Sequence, residues 1–110
     1  MTLSEYQKLA KRTCDKTLCV KELELHALHG LSGECREIHS IYQKVYQGHK
    51  FDKDHLKSEL GDLLWFIGEL ATANDLSLED IASHNIEKLK ARYPEGFDVE
   101  HSLHRAQGDI

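Results

Sequence analysis

The chain is 110 residues long, and its 19 Asp and Glu outweigh 14 Lys and Arg to give a formal net charge of −5. That length bounds it to one domain with a modest core, and the acidic balance argues against nucleic acid or an anionic membrane surface as a general partner. No apolar run approaches the ~18 residues a membrane helix needs, and Met1 to Ala10 lacks the apolar centre of a signal peptide, so a cytoplasmic location is expected.

One proline and seven glycines point to long helices. Thr2 or Ser4 is placed to cap a first short helix ending near Arg12, with Leu3, Tyr6 and Leu9 or Ala10 as its apolar side. A second helix is expected from near Leu18 to Tyr46. Gly30 and Gly33 mark a point of interruption within it, since each lowers helix propensity by about 1 kcal/mol. Gly48 to Asp52 reads as a turn, and Asp52 or Asp54 as the cap of a third helix reaching Asn74. Ser77 followed by Asp80 fits a capping box for a fourth helix, which Pro94 stops after Tyr93. No stretch reads as a strand. The expected class is all-α with four helices, divided into an N-terminal arm (1–17), a helical core (18–93) and a tail (94–110).

Cys14, Cys19 and Cys35 are odd in number and lack C-x-x-C spacing, which indicates reduced thiols. Of the eight histidines, His26 and His29 share a helix face at i,i+3, but the others are scattered through helices, loops and tail.

Four carboxylates dominate the middle of the chain. Glu34 and Glu37 are spaced i,i+3, as are Glu59 and Asp62, so each pair shares one helix face. Both pairs are symmetric about Gly48. A reversal there sets Glu34 opposite Asp62 and Glu37 opposite Glu59. At ~100° per residue, Leu23, Ala27, Ile38, Ile41 and Val45 fall within about 40° of Glu34, which puts this acid on the apolar stripe. The third helix repeats the pattern 25 positions on. Carboxylates ~5 Å apart repel by roughly 3 kcal/mol at an effective dielectric of 20, so inward-facing acids require a cation between them. The competing readings are a solvated helix face, or internal pairing with Arg36 or Lys44. Oxygen-only donors suit Mg²⁺, with Mn²⁺ as a substitute, whereas zinc would bring His or Cys. A carboxylate-bridged di-iron bundle is excluded, because no Glu has His three residues later.

On the fourth helix Asn85, Lys88 and Arg92 lie within about 60° of one another beside Leu78, Ile81 and Leu89. Cationic groups next to an acid–metal cluster suit a polyphosphate, and Lys44, two turns after Glu37, would serve likewise. Trp65, Phe66, Tyr42 and Tyr46 offer faces for a base, or simply fill the core. The third helix is apolar around much of its circumference (Leu60, Leu63, Leu64, Trp65, Phe66, Ile67). It therefore needs cover on more than one side, which implies an oligomer, and the tail with Phe97, Leu103 and Arg105 suits an arm over a neighbouring subunit.

Three segments carry a family resemblance: Gly30-Leu-Ser-Gly-Glu-Cys-Arg-Glu-Ile38, Glu59-Leu-Gly-Asp-Leu-Leu-Trp65 and Asn85-Ile-Glu-Lys-Leu-Lys-Ala-Arg-Tyr-Pro94. The chain resembles the MazG-type all-α nucleoside triphosphate pyrophosphohydrolases from about Leu3 to Arg105. The resemblance implies a four-helix MazG-like bundle completed by oligomerisation, as a homodimer or homotetramer. It implies metal ligation by Glu34, Glu37, Glu59 and Asp62, with Glu34 or Glu37 as proton acceptor. It further implies Mg²⁺-dependent hydrolysis of a nucleoside triphosphate to the monophosphate and pyrophosphate, with nucleotide contacts from Asn85, Lys88, Arg92 and Tyr93; Lys44 and Arg105 are further candidate substrate contacts, and the role is nucleotide-pool housecleaning or removal of a signalling nucleotide. A non-catalytic helical module that binds a divalent ion is the alternative from another class.

Overall fold

The computed structural model describes all 110 residues, and every regular element in it is helical. In chain order these are α1 (Leu3–Lys11), α2 (Val20–Tyr46), α3 (Lys53–Ala73), α4 (Leu78–Arg92) and a short α5 (Val99–Leu103). Thr2, Asp52 and Ser77 serve as the caps, although the Asp80 side chain makes no return bond, so α4 has an N-cap and not the expected capping box. Thr2 Oγ1 accepts from the Glu5 amide at 3.0 Å, while the Thr2 amide donates back to Glu5. Asp52 accepts from the His55 amide and Ser77 from that of Asp80, closing the first turns of α3 and α4. Each such cap is worth about 1 kcal/mol. Ser4 has other work, donating to Glu79 on α4.

The expected interruption of α2 is absent. The helix runs unbroken through Gly30 and Gly33, because Gly30 lies against the ring of Phe66, where any Cβ would collide with the ring carbons. Close packing of α2 on α3 offsets the intrinsic helix cost of that glycine. The turn between the two helices takes Gly48 at φ +94°, a left-handed conformation that disfavours side chains.

The α2–α3 hairpin is the main packing unit, and α1 lies across α3 and touches α4. Trp65 fixes that arm, its indole Nε1 donating to the Ala10 carbonyl at 3.2 Å and Thr13 Oγ1 at 2.8 Å. Gln7 bridges the far end. Its amide donates to Thr72 Oγ1 and the Leu76 carbonyl and accepts from the Leu78 amide at the start of α4. The fourth helix is thus tied to the hairpin through α1.

This arrangement leaves the molecule open. The radius of gyration is 17.3 Å, against about 13 Å for a compact domain of this length. Only six residues are buried, among them Ala27, Ile41, Ala71 and Leu78. Along α3 the stripe Leu60, Leu64 and Ile67 stays exposed, and Ile86 and Leu89 do so on α4. No helix is long and apolar enough to cross a membrane. The tail, expected as an arm over a neighbour, instead turns back on its own α4. Tyr93 packs on Phe97, and Arg92 bonds Asp109.

Candidate metal centre

The two central helices bring Glu34, Glu59 and Asp62 together, with one carboxylate oxygen from each lying within 4.8 Å of the others. Glu34 and Glu59 are half-buried, whereas Asp62 opens to solvent. Glu34 Oε2 is buried without a hydrogen-bond partner. Such an oxygen is costly unless something positive faces it. In the ion-free cluster the Glu34 carboxyl is pushed up to about 7, first by a hydrogen bond to Glu59 and then by burial and the charges of Glu59, Asp62 and Glu37. Two carboxylates share no donor, so that bond exists only while a proton is held between them. A cation would replace the proton.

No Lys or Arg forms an ion pair with any of the three acids; Arg36 and Lys44 do not reach them. The one basic side chain in reach is His55, whose Nε2 stands 3.2 Å from Glu59 Oε1. The orphaned oxygen argues against a solvated face, and the absence of a bridge argues against internal pairing with Arg36 or Lys44. An all-oxygen donor set with an unpartnered buried lone pair fits a hard divalent cation.

Glu37 is placed differently. It is exposed and lies outside the three-acid cluster, though its charge is felt at Glu34. It faces an open hollow of about 790 Å³ shared with Arg36, His39, Tyr42 and Tyr46. Of the four aromatics considered for a base, Trp65 and Phe66 are engaged in packing against each other and His26. Tyr42 lies on Phe51, and Tyr46 is 93% exposed.

The cationic residues gather elsewhere along the chain. Lys88, Arg92 and Arg105 line a cavity of about 710 Å³ between α4 and the tail, together with His84 and His101. The Arg92 guanidinium also lies 5.8 Å from the centre of the Tyr93 ring. Asn85 on α4 and Lys44 near the end of α2 are both exposed. Neither borders that cavity.

Several residues with chemistry were not singled out from sequence. His55 precedes Glu59 by one helical turn, a local spacing that was available to be read. Tyr6 on α1 has its phenol pushed up by burial and by the charge of Asp62. Glu69 is the buried acid of the core at 3% exposure, held by His26 Nδ1 at 2.9 and 3.0 Å. That engagement accounts for His26, one of the two spaced histidines. Partners 43 positions apart leave no local signal. The three cysteines are free.

Residues 24–97 match the family model of the MazG nucleotide pyrophosphohydrolase domain. The chain is similar to the Gene 37 protein of Mycobacterium phage L5, with 32% identity over 72 residues. The match covers 61% of this chain and 63% of the phage protein. No solved structure matches.

Proposed function

Because this chain belongs to the MazG nucleotide pyrophosphohydrolase domain family, we propose that it hydrolyses (deoxy)nucleoside triphosphates between the α- and β-phosphates in a Mg²⁺-dependent reaction. The products are a nucleoside monophosphate and pyrophosphate, and the role is nucleotide-pool housecleaning. The observation that carries the reading is the unpartnered Glu34 oxygen in a three-carboxylate cluster without any Lys or Arg counter-ion. Glu34, Glu59 and Asp62 would hold the ion, and Glu37 would join them by rotating its exposed side chain. Mn²⁺ would substitute.

When bound, Mg²⁺ supplies charge against the phosphoryl oxygens and acidifies water in the site. The chain's own residues do the rest. Glu37 or Glu34 takes the proton, and Glu37, exposed beside the cluster, is the more accessible of the two. His55 holds Glu59 from the solvent side. Tyr42 and Tyr46 offer faces for the base beside Glu37. Lys44, Asn85, Lys88, Arg92, Tyr93 and Arg105 are the substrate contacts that the family resemblance carries over, with Lys88, Arg92 and Arg105 serving the phosphates.

The working unit is a homodimer or homotetramer, supported by the open shape and by the uncovered Leu60, Leu64 and Ile67 stripe. A panel of nucleoside triphosphates with Mg²⁺, scored for pyrophosphate release, tests the reaction. Ion binding without release from any nucleotide would favour the non-catalytic helical module instead.

A further inference from the structure

Asp109 lies outside the acid cluster and has no part in the proposed hydrolysis. Its carboxylate receives two parallel hydrogen bonds from Arg92, Nε to Oδ2 at 2.8 Å and Nη2 to Oδ1 at 2.7 Å. Both side chains are nearly buried, at 10% and 12% exposure. Gly108 makes the approach possible: at φ +87° it turns the chain so that the Asp109 amide bonds back to the Ala106 carbonyl.

The surroundings carry more positive charge than one carboxylate balances. Lys88 and Arg105 border the same cavity, and all three cations act on Asp109, holding its carboxyl below the usual carboxylate range. Glu87, the other acidic side chain at the rim, is already paired with Lys90 at 3.6 Å. A guanidinium that grips a carboxylate through two parallel bonds presents the same fork to two oxygens of a phosphate. Asp109 therefore occupies a place shaped for a more highly charged anion.

We infer that Asp109 is an internal competitor for a phosphate group at Arg92, and that the tail from Ala106 to Ile110 is a strap that lifts when a polyphosphate enters the α4 cavity. The inference rests on the proposed function only for the class of ligand. A strap that holds the site closed lowers apparent affinity by the fraction of chains that are open, so releasing it tightens binding without any new contact.

The test is calorimetry of the 110-residue chain with inorganic pyrophosphate in metal-free buffer, where the acid cluster contributes no ion. Asp109→Asn should bind at least about threefold more tightly than the unaltered chain. Asp109→Glu, which keeps the carboxylate, should stay near the unaltered value, and the gain should vanish when Arg92→Gln is added. Equal affinities, or no binding to either chain, would overturn the strap. So would a lowered melting temperature in Asp109→Asn with no gain in affinity, the mark of a purely structural clamp. A second measurement needs no variant: amide exchange in residues 106–110 should quicken when pyrophosphate is added, and unchanged or slower exchange counts against the inference. Failure of the hydrolysis would show separately, as no pyrophosphate release from any nucleotide, and leaves these binding results standing.

Discussion

Gly30 of α2 lies directly against the ring of Phe66 of α3, in a contact with no room for a Cβ. Glu34 follows Gly30 by one helical turn, and Asp62 precedes Phe66 by one turn. In an antiparallel pair both acids therefore leave the crossing in the same direction. The convergence of the cluster is set by this packing as much as by the acids themselves. Gly30→Ala should lose about 1–3 kcal/mol through overpacking and weaken ion binding by splaying the helices. Gly33 has open space around its Cβ position, so Gly33→Ala should gain about 0.5–1 kcal/mol from helix propensity. Urea unfolding followed by circular dichroism separates the two. Equal effects at both glycines would mean that the crossing does not depend on Gly30.

Neutralising one ligand should remove the reaction and spare the fold. Glu59→Gln keeps side-chain volume, so turnover should fall by at least about a hundredfold while helical content is unchanged. The check is pyrophosphate release at saturating Mg²⁺ beside far-ultraviolet circular dichroism. Retained turnover would place the reaction elsewhere.

The ion-free chain should be pH-sensitive in a defined direction. Glu34 is raised from its ordinary 4.5 to about 7, so between those values the folded state holds a proton that the unfolded state has lost. Its contribution to stability is present below about 4.5, declines as pH rises through this window, and is gone above about 7. Melting temperatures in chelator should follow that decline. Glu34→Gln should remove this component, and added Mg²⁺ should restore stability at pH 8. A flat profile that is indifferent to Glu34→Gln would show that the acids are solvated.

The exposed α3 stripe should be the contact between copies. Leu64→Glu places a charge at its centre, and sedimentation at micromolar concentration should then shift from an assembly to a 12.6 kDa monomer. An unaltered chain that already sediments as an active monomer would sink the oligomer.

Local interactions made much of the fold legible before any tertiary contact was known. Caps at Thr2, Asp52 and Ser77, the turn at Gly48 and the stop at Pro94 act within a few residues, so the bounds of α1 to α4 were read to within one or two positions. Spacing along each helix likewise exposed the acid pairs. Only the tertiary structure decided how they are used. It gathered Glu34, Glu59 and Asp62 while leaving Glu37 outside, because the close contact of Gly30 with Phe66 sets which turns of the two helices come closest. It kept α2 continuous where two glycines argued for a break, since the loss of helix propensity is offset by a packing contact 36 positions away. It also joined His26 to Glu69 and Arg92 to Asp109, hydrogen-bonded pairs formed by approach in space rather than by spacing along one helix.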